Sequence, residues 1–343
     1  MKCLFSVLHA AAALAAAAML VADAHAASTL DIYFIDVEGG QSTLLVTPAG
    51  QALLIDTGYG GFGNRDPNRV AAAARAANVT RLDYLLITHF HADHAGGASE
   101  VAKRLPVGTF VDYGEPIEKS EFSQAPFAAY AAVRARGASL HPRPGDKLPL
   151  AGVEVEVLSA GGAVLARPTQ LTAGVRNPAC ATLRKQPELE GENPRSVGVR
   201  ITFGRFTFLD LGDLPGNNLA SLACPNNLLG HADVYLVPHH GNKDTAIPAV
   251  IAAVSPRVAI LNNGATKGGD PAAFRTLHET AGLEAVWQLH RSRIKGSANY
   301  PDAFIANLED GPMDAGAWIK VSAEATGAFS VTNGRTGATT LYK

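Results

Sequence analysis

Seven consecutive residues, Thr88-His89-Phe90-His91-Ala92-Asp93-His94, decide most of what this chain can fold into, because they close the apolar run Leu82 to Thr88. Three imidazoles and a carboxylate within six residues form an N/O ligand set that suits Zn(II) and, less selectively, Mn(II) or Fe(II). His89 and His91, two apart, point the same way from extended chain. Asp93 and His94 follow the turn and can serve a second ion about 3.5–4 Å from the first, the spacing of two-metal hydrolytic sites. Gly96 and Gly97 leave room for another backbone to approach closely. A lone His-x-His would be ordinary surface. Four ligands at the end of a buried strand instead point to a metal site that a folded frame must hold in place.

The remaining sequence supplies such a frame. Strand-like runs and tight turns alternate from Leu30: Leu30 to Val37, Thr43 to Thr47, Ala52 to Asp56. Asn68 to Ala77, Phe127 to Arg136, Ile247 to Val254 and Pro271 to Ala281 read as helices; Leu82 to Thr88, Val153 to Leu158, Val234 to Val237 and Val258 to Leu261 read as strands. Gly198 to Leu211 reads as a hairpin turning at Gly204-Arg205, and Ala317 to Tyr342 as a β-rich tail. Pro168 to Pro194 is the longest irregular stretch and a candidate loop or lid over a site. The alternation predicts a layered α/β domain. With 47% hydrophobic and 17% charged residues over 343 positions, the chain can bury a large core. Its net charge of −2 provides no field to hold long nucleic acid or an anionic membrane.

The N-terminus reads as an address. Lys2, thirteen apolar residues from Ala10 to Ala22, and Ala24-His25-Ala26 have the form of a secretory signal peptide cleaved after Ala26. Residues 1–26 are then the signal and 27–343 a single domain with its β-rich tail, periplasmic or secreted, without stable membrane insertion after cleavage. Export leaves two cysteines, Cys180 and Cys224, 44 residues apart. In an oxidising compartment they form a disulfide most simply; two unpaired buried thiols are the alternative.

Around the His motif the order of short segments is informative. Phe34-Ile35-Asp36-Val37-Glu38-Gly39-Gly40-Gln41 and Leu54-Ile55-Asp56-Thr57-Gly58 precede it. Pro144-Gly145-Asp146, Ser196 leading into the hairpin, Leu211-Gly212-Asp213 and Val237-Pro238-His239-His240-Gly241 follow. His89-x-His91-x-Asp93-His94 after an apolar strand is similar to the signature of the metallo-β-lactamase superfamily. The wider order resembles the metallo-β-lactamase-like domain of the ComEC/Rec2 competence proteins, from about Leu30 to Leu261.

That resemblance implies a four-layer αββα sandwich and two divalent metal ions, with zinc expected and manganese or iron as alternatives. It assigns His89, His91, Asp93 and His94 as ligands, Asp213 as a bridging carboxylate with Asp210 its rival, and one of His239 and His240 as a further ligand. Asp93 would also orient the nucleophile, a metal-bridged hydroxide. Asp56, Asn193 and Asn263 are candidate supporting or substrate residues. Many members carry another His before the bridging Asp; here the stretch holds Asn193, and His141 is the nearest spare imidazole. His290 reads as a structural histidine, and Arg291 to Lys295 as a solvated basic cluster. The implied activity is phosphodiester hydrolysis, which the net charge of −2 points toward a small molecule rather than long nucleic acid, with lactone or β-lactam hydrolysis and metal-dependent binding without turnover as alternatives.

Overall fold

The computed structural model describes residues 29–169, 174–310 and 315–343; the expected signal peptide and part of the Pro168 to Pro194 stretch lie outside them. Two nine-stranded sheets form the inner layers. The first runs, in spatial order, Thr339–Tyr342, Phe329–Asn333, Ile319–Glu324, Thr29–Phe34, Thr43–Val46, Ala52–Ile55, Leu82–Leu86, Val107–Val111, Ala138–Leu140. The second runs Ile305–Asn307, Ala285–His290, Val258–Leu261, Val234–Leu236, Phe206–Asp210, Gly198–Phe203, Glu154–Ala160, Lys147–Leu148, with Ala163–Val164 paired onto Glu154–Ala160.

Side-chain alternation sorts the layers. Along Thr29–Phe34, the residues Leu30, Ile32 and Phe34 enter the core between the sheets while Tyr33 faces outward. Ala52–Ile55 and Val258–Leu261 are apolar at every position because both faces are covered. Helices Arg65–Ala76, Ala98–Arg104 and Glu121–Arg134 pack on the outer face of the first sheet, contributing Val70, Val101 and Tyr130. Gly216–Ala223, Pro248–Val254 and Pro271–His278 cover the second, contributing Leu219, Ile251 and Phe274. The result is an αββα sandwich.

Several elements depart from their sequence reading. The helix expected from Phe127 begins at Glu121, because Pro126 lies within it and reads locally as a breaker. The helix expected from Asn68 begins at Arg65, with Pro67 accommodated in its first turn. The tail is no appendage: Ile319–Glu324 pairs antiparallel with Thr29–Phe34, and two more strands extend that edge. Cys180 and Cys224 are bridged, tying the Pro178–Thr182 turn to the end of helix Gly216–Ala223. No helix among the described residues is long and apolar enough to cross a membrane.

Ala52–Ile55, Leu82–Leu86 and Val107–Val111 are parallel neighbours, as are Phe206–Asp210, Val234–Leu236, Val258–Leu261 and Ala285–His290. Their carboxyl ends release Asp56, the His motif, Asp213 and the His239-His240 pair. Open α/β sheets gather ligand sites at such ends.

Candidate metal centre

The centre is built around one oxygen, Asp213 Oδ2. His94 Nε2 lies 3.2 Å from it, His240 Nε2 3.3 Å, His239 Nε2 3.8 Å and His89 Nε2 3.9 Å. Asp93 Oδ2 lies 3.5 Å from His94 Nε2 and 3.3 Å from His240 Nε2. Asp93, His94, Asp213 and His240 thus bring their ligand atoms within 4.8 Å of one another, all buried. His89 and His91 stand together, Nε2 to Nδ1 at 3.0 Å. Asp213 Oδ2 is thus the common neighbour of His89, His94, His239 and His240. Its rival Asp210 is spent elsewhere, accepting from Gln41 Nε2 and the Gly212 amide.

Local chain geometry explains how adjacent residues reach different places. His239, His240 and Gly241 take successive left-handed φ values of 51°, 56° and 74°. For non-glycine residues that conformation costs about 1–3 kcal/mol each and persists only where the surroundings impose it. The turn sends His240 into the cluster with Asp93 and His94. His239 instead packs beside Asn193 (Nε2 to Nδ2, 3.2 Å), its Nδ1 held 3.0 Å from Asp244. The stretch lacking a histidine is therefore met by one from the opposite pair. His141 plays no part, its Nδ1 lying 2.8 Å from Asp112.

The surroundings support these ligands. Asp56 Oδ2 lies 2.7 Å from His94 Nδ1, and its carboxylate accepts from the Thr88 amide and hydroxyl, fixing the strand end and the imidazole together. Glu118 Oε2 lies 3.2 Å from His91 Nε2, turning Nδ1 toward His89. Gly97 packs so tightly that a Cβ there would lie 2.3 Å from the Thr57 carbonyl oxygen, so close approach is compulsory at that position. Asn263 is a loop support, donating to the carbonyls of His290 (2.9 Å) and Gly264 (3.0 Å). His290 is buried with Nε2 2.8 Å from Asp36, alongside Arg69. Arg291 and Arg293 pair with Asp302 and Asp310.

The electrostatics are those of a cation site. Burial works to raise Asp213, but His240, His94 and His239 hold it well below the usual carboxylate range. Asp93 is likewise held low against burial by His94, His240 and Lys267. His94 is opposed by burial yet held well above an ordinary imidazole by Asp213, Asp93 and Asp56, whereas burial and His94 push His89 well below. His94 Nε2, Asp213 Oδ1 and both ring nitrogens of His240 are buried without a hydrogen bond. Buried polar atoms rarely go unpaired, and N/O donors converging this way fit a divalent cation.

Two residues at the centre carry no signal in the sequence. Lys267 donates to Asp93 Oδ2 and, at 3.0 Å, to the Tyr59 hydroxyl. Both partnerships join segments about 170 to 210 residues apart, which no local pattern reveals.

The sequence profile of the Metallo-beta-lactamase superfamily matches residues 36–178. Recombination protein 2 of Haemophilus influenzae is 25% identical over 236 residues, 69% of this chain and 24% of that protein. The chain therefore spans about a quarter of the length of that relative. Among solved structures, the metallo-beta-lactamase fold protein YhfI from Bacillus subtilis aligns over 75% of this chain and 96% of its own, at 12% identity and a TM-score of 0.45. Zn(2+)-bound PqqB from Methylobacterium extorquens aligns over 60% and 71%, at 14% identity and a TM-score of 0.36. Likeness at that level says nothing about substrate.

The observed layers, the buried His/Asp centre at the strand ends and the profile match define a class: a metal-dependent hydrolase with the metallo-β-lactamase fold. Within that class its sequence similarity runs to Recombination protein 2.

Proposed function

We propose that this chain is an exported phosphodiesterase acting on a small molecule. The observation that carries the reading is the gathering of His94, His240, His239 and His89 within 3.9 Å of Asp213 Oδ2, with Asp93 beside them. His89, His91, His239 and Asp213 would hold one divalent cation, and Asp93, His94, His240 and Asp213 a second. Zinc is the proposed metal for this donor set. Bound there, such ions supply Lewis acidity and activate water at neutral pH. The chain's own residues supply orientation: Asp56 fixes His94, Glu118 fixes His91, and Asp244 fixes the tautomer of His239. Asp93, buried beside His94 and His240, would orient the attacking water.

A phosphodiester is favoured over a lactone or β-lactam on two grounds. The similarity to Recombination protein 2 points toward nucleic-acid-related chemistry, and the lysine beside Asp93 suits an anionic substrate over a neutral lactone. A net charge of −2 favours a small anion over a long polynucleotide. The test is metal analysis of the purified chain, followed by turnover assays with a phosphodiester, a phosphomonoester, a lactone, a cephalosporin and single-stranded DNA. Phosphodiester turnover abolished by His91→Ala and Asp93→Ala is the expected result. Lactone turnover alone sinks the phosphoester reading, and full metal occupancy without turnover points to a binding protein. Export is tested by the mature N-terminus, expected at Ala27 by mass spectrometry of the periplasmic or secreted protein.

A further inference from the structure

Lys267 is the one cation whose ammonium meets a candidate ligand of the centre among the described ion pairs. Its side chain is 36% exposed while that of Asp93 is 3% exposed, so the ammonium stands where the buried centre opens to solvent. Its mounting is rigid. The Gly264 amide donates to the Lys267 carbonyl at 2.8 Å, and the Gly269 and Asp270 amides donate to the carbonyls of His240 and Gly241 at 2.8 and 2.9 Å. Gly268 has φ 72°, and a Cβ there would lie 2.3 Å from the His240 carbonyl oxygen. The loop bearing Lys267 is thus fastened by backbone to the turn that aims His240. Tyr59 completes the mounting, its hydroxyl accepting from Nζ and its ring centroid 5.3 Å from the ammonium.

Beside His91 the surroundings are different. Phe122 is 46% exposed, with its ring centroid 5.0 Å from that of His91. The surroundings of Asp93 therefore offer a positive charge and those of His91 an apolar face. A lysine that served only to neutralise Asp93 would need neither exposure nor a second partner. A flexible four-carbon stem lets the ammonium turn from Asp93 to an incoming anion while Tyr59 keeps it close.

We propose that Lys267, steadied by Tyr59, selects a negatively charged substrate by binding a non-bridging oxygen of a phosphodiester. This deepens the phosphodiesterase reading and rests on it. The test uses the metal-loaded chain and two substrates with one leaving group, bis(p-nitrophenyl) phosphate and neutral p-nitrophenyl acetate, with titration of inorganic phosphate by calorimetry. Lys267→Met is expected to lower the ratio of kcat/KM for phosphate diester over acetate by about 10- to 100-fold, the worth of one hydrogen bond to a charged group. Phosphate affinity should fall at least about 10-fold, Lys267→Arg should recover most of both, and chelator titration should show the metal still bound. An unchanged ratio with unchanged phosphate affinity overturns the proposal, as does a parallel loss of both activities with the metal. Should Lys267→Met not fold, Tyr59→Phe is expected to shift the same ratio in the same direction by a smaller factor, and no shift there overturns it. If the unaltered chain cleaves only the acetate, the phosphodiesterase reading fails, and the phosphate titration still decides the role of Lys267.

Discussion

His94 depends on a residue that faces away from the cation position. Asp56 reaches it from behind at 2.7 Å and is itself fixed by Thr88, so its loss frees both the ring and the strand end. Removing a carboxylate partner of a ligating histidine typically costs 10- to 100-fold in metal affinity. Asp56→Asn is therefore expected to weaken zinc binding by about that factor, read by competition with a chromogenic chelator; unchanged affinity would show that His94 needs no such support. His240→Ala should remove more metal than His239→Ala, because His240 joins Asp93 and His94 while His239 stands beside Asn193. The residues of this centre were readable in the sequence to different depths. His89, His91, Asp93 and His94 are contiguous, so their chemistry shows in one glance. Asp213 and the His239-His240 pair needed the resemblance, since a turn Asp or a surface His pair is common. The choice between Asp213 and Asp210, and between the two histidines, depends on backbone turns with φ near 50° that composition does not encode. Lys267 and Tyr59 at the centre, and Glu118 behind His91, were invisible, being brought in by longer-range topology.

At the scale of elements, local patterning shows where strands lie but not which strands are neighbours. Val258–Leu261 and the Gly198 to Leu211 hairpin were legible from apolar runs and a Gly turn, whereas Ala98–Arg104 and Ala285–His290 were not, their amphipathic signals being short or interrupted by polar residues. The tail is the instructive case. It looked like an addition, yet Phe329 is buried in the intersheet core, 5.5 Å from Phe206 and 4.9 Å from Tyr342 between ring centroids. Phe329→Ala should cost about 3–5 kcal/mol in denaturant unfolding, as buried Phe truncations do; a loss below about 1 kcal/mol would make the tail a mere cover. The Cys180–Cys224 bridge closes a separation of 44 residues, for which loop entropy gives about 4 kcal/mol. Reduction of the folded protein should lower the unfolding midpoint, with Cys180→Ala/Cys224→Ala matching the reduced protein and insensitive to reductant.

The whole molecule is held at its functional end by a polar bridge between the two sheets. Gln41, from the first sheet's loops, donates its backbone amide to the Asp93 carbonyl at 3.1 Å and its side-chain amide to Asp210 at 3.0 Å. Its Oε1 accepts from Asn262 at 3.4 Å. Asp210 lies at the end of Phe206–Asp210 in the second sheet, and burial raises its pKa to about 7, with Gly212 and Gln41 opposing that rise and Asp56 adding to it. The ordinary value is 3.8, so the folded state binds this proton more tightly than the unfolded chain. The stability it contributes is complete below about pH 4 and is lost as pH climbs through about 7. Asp210→Asn removes the titration while keeping an acceptor for the Gly212 amide. In chelator, where metal occupancy cannot vary with pH, the variant's unfolding free energy relative to the parent should rise between about pH 4 and 7 and then level off. A difference independent of pH would mean that Asp210 is ionised throughout this range and that the bridge between the sheets is a charged one.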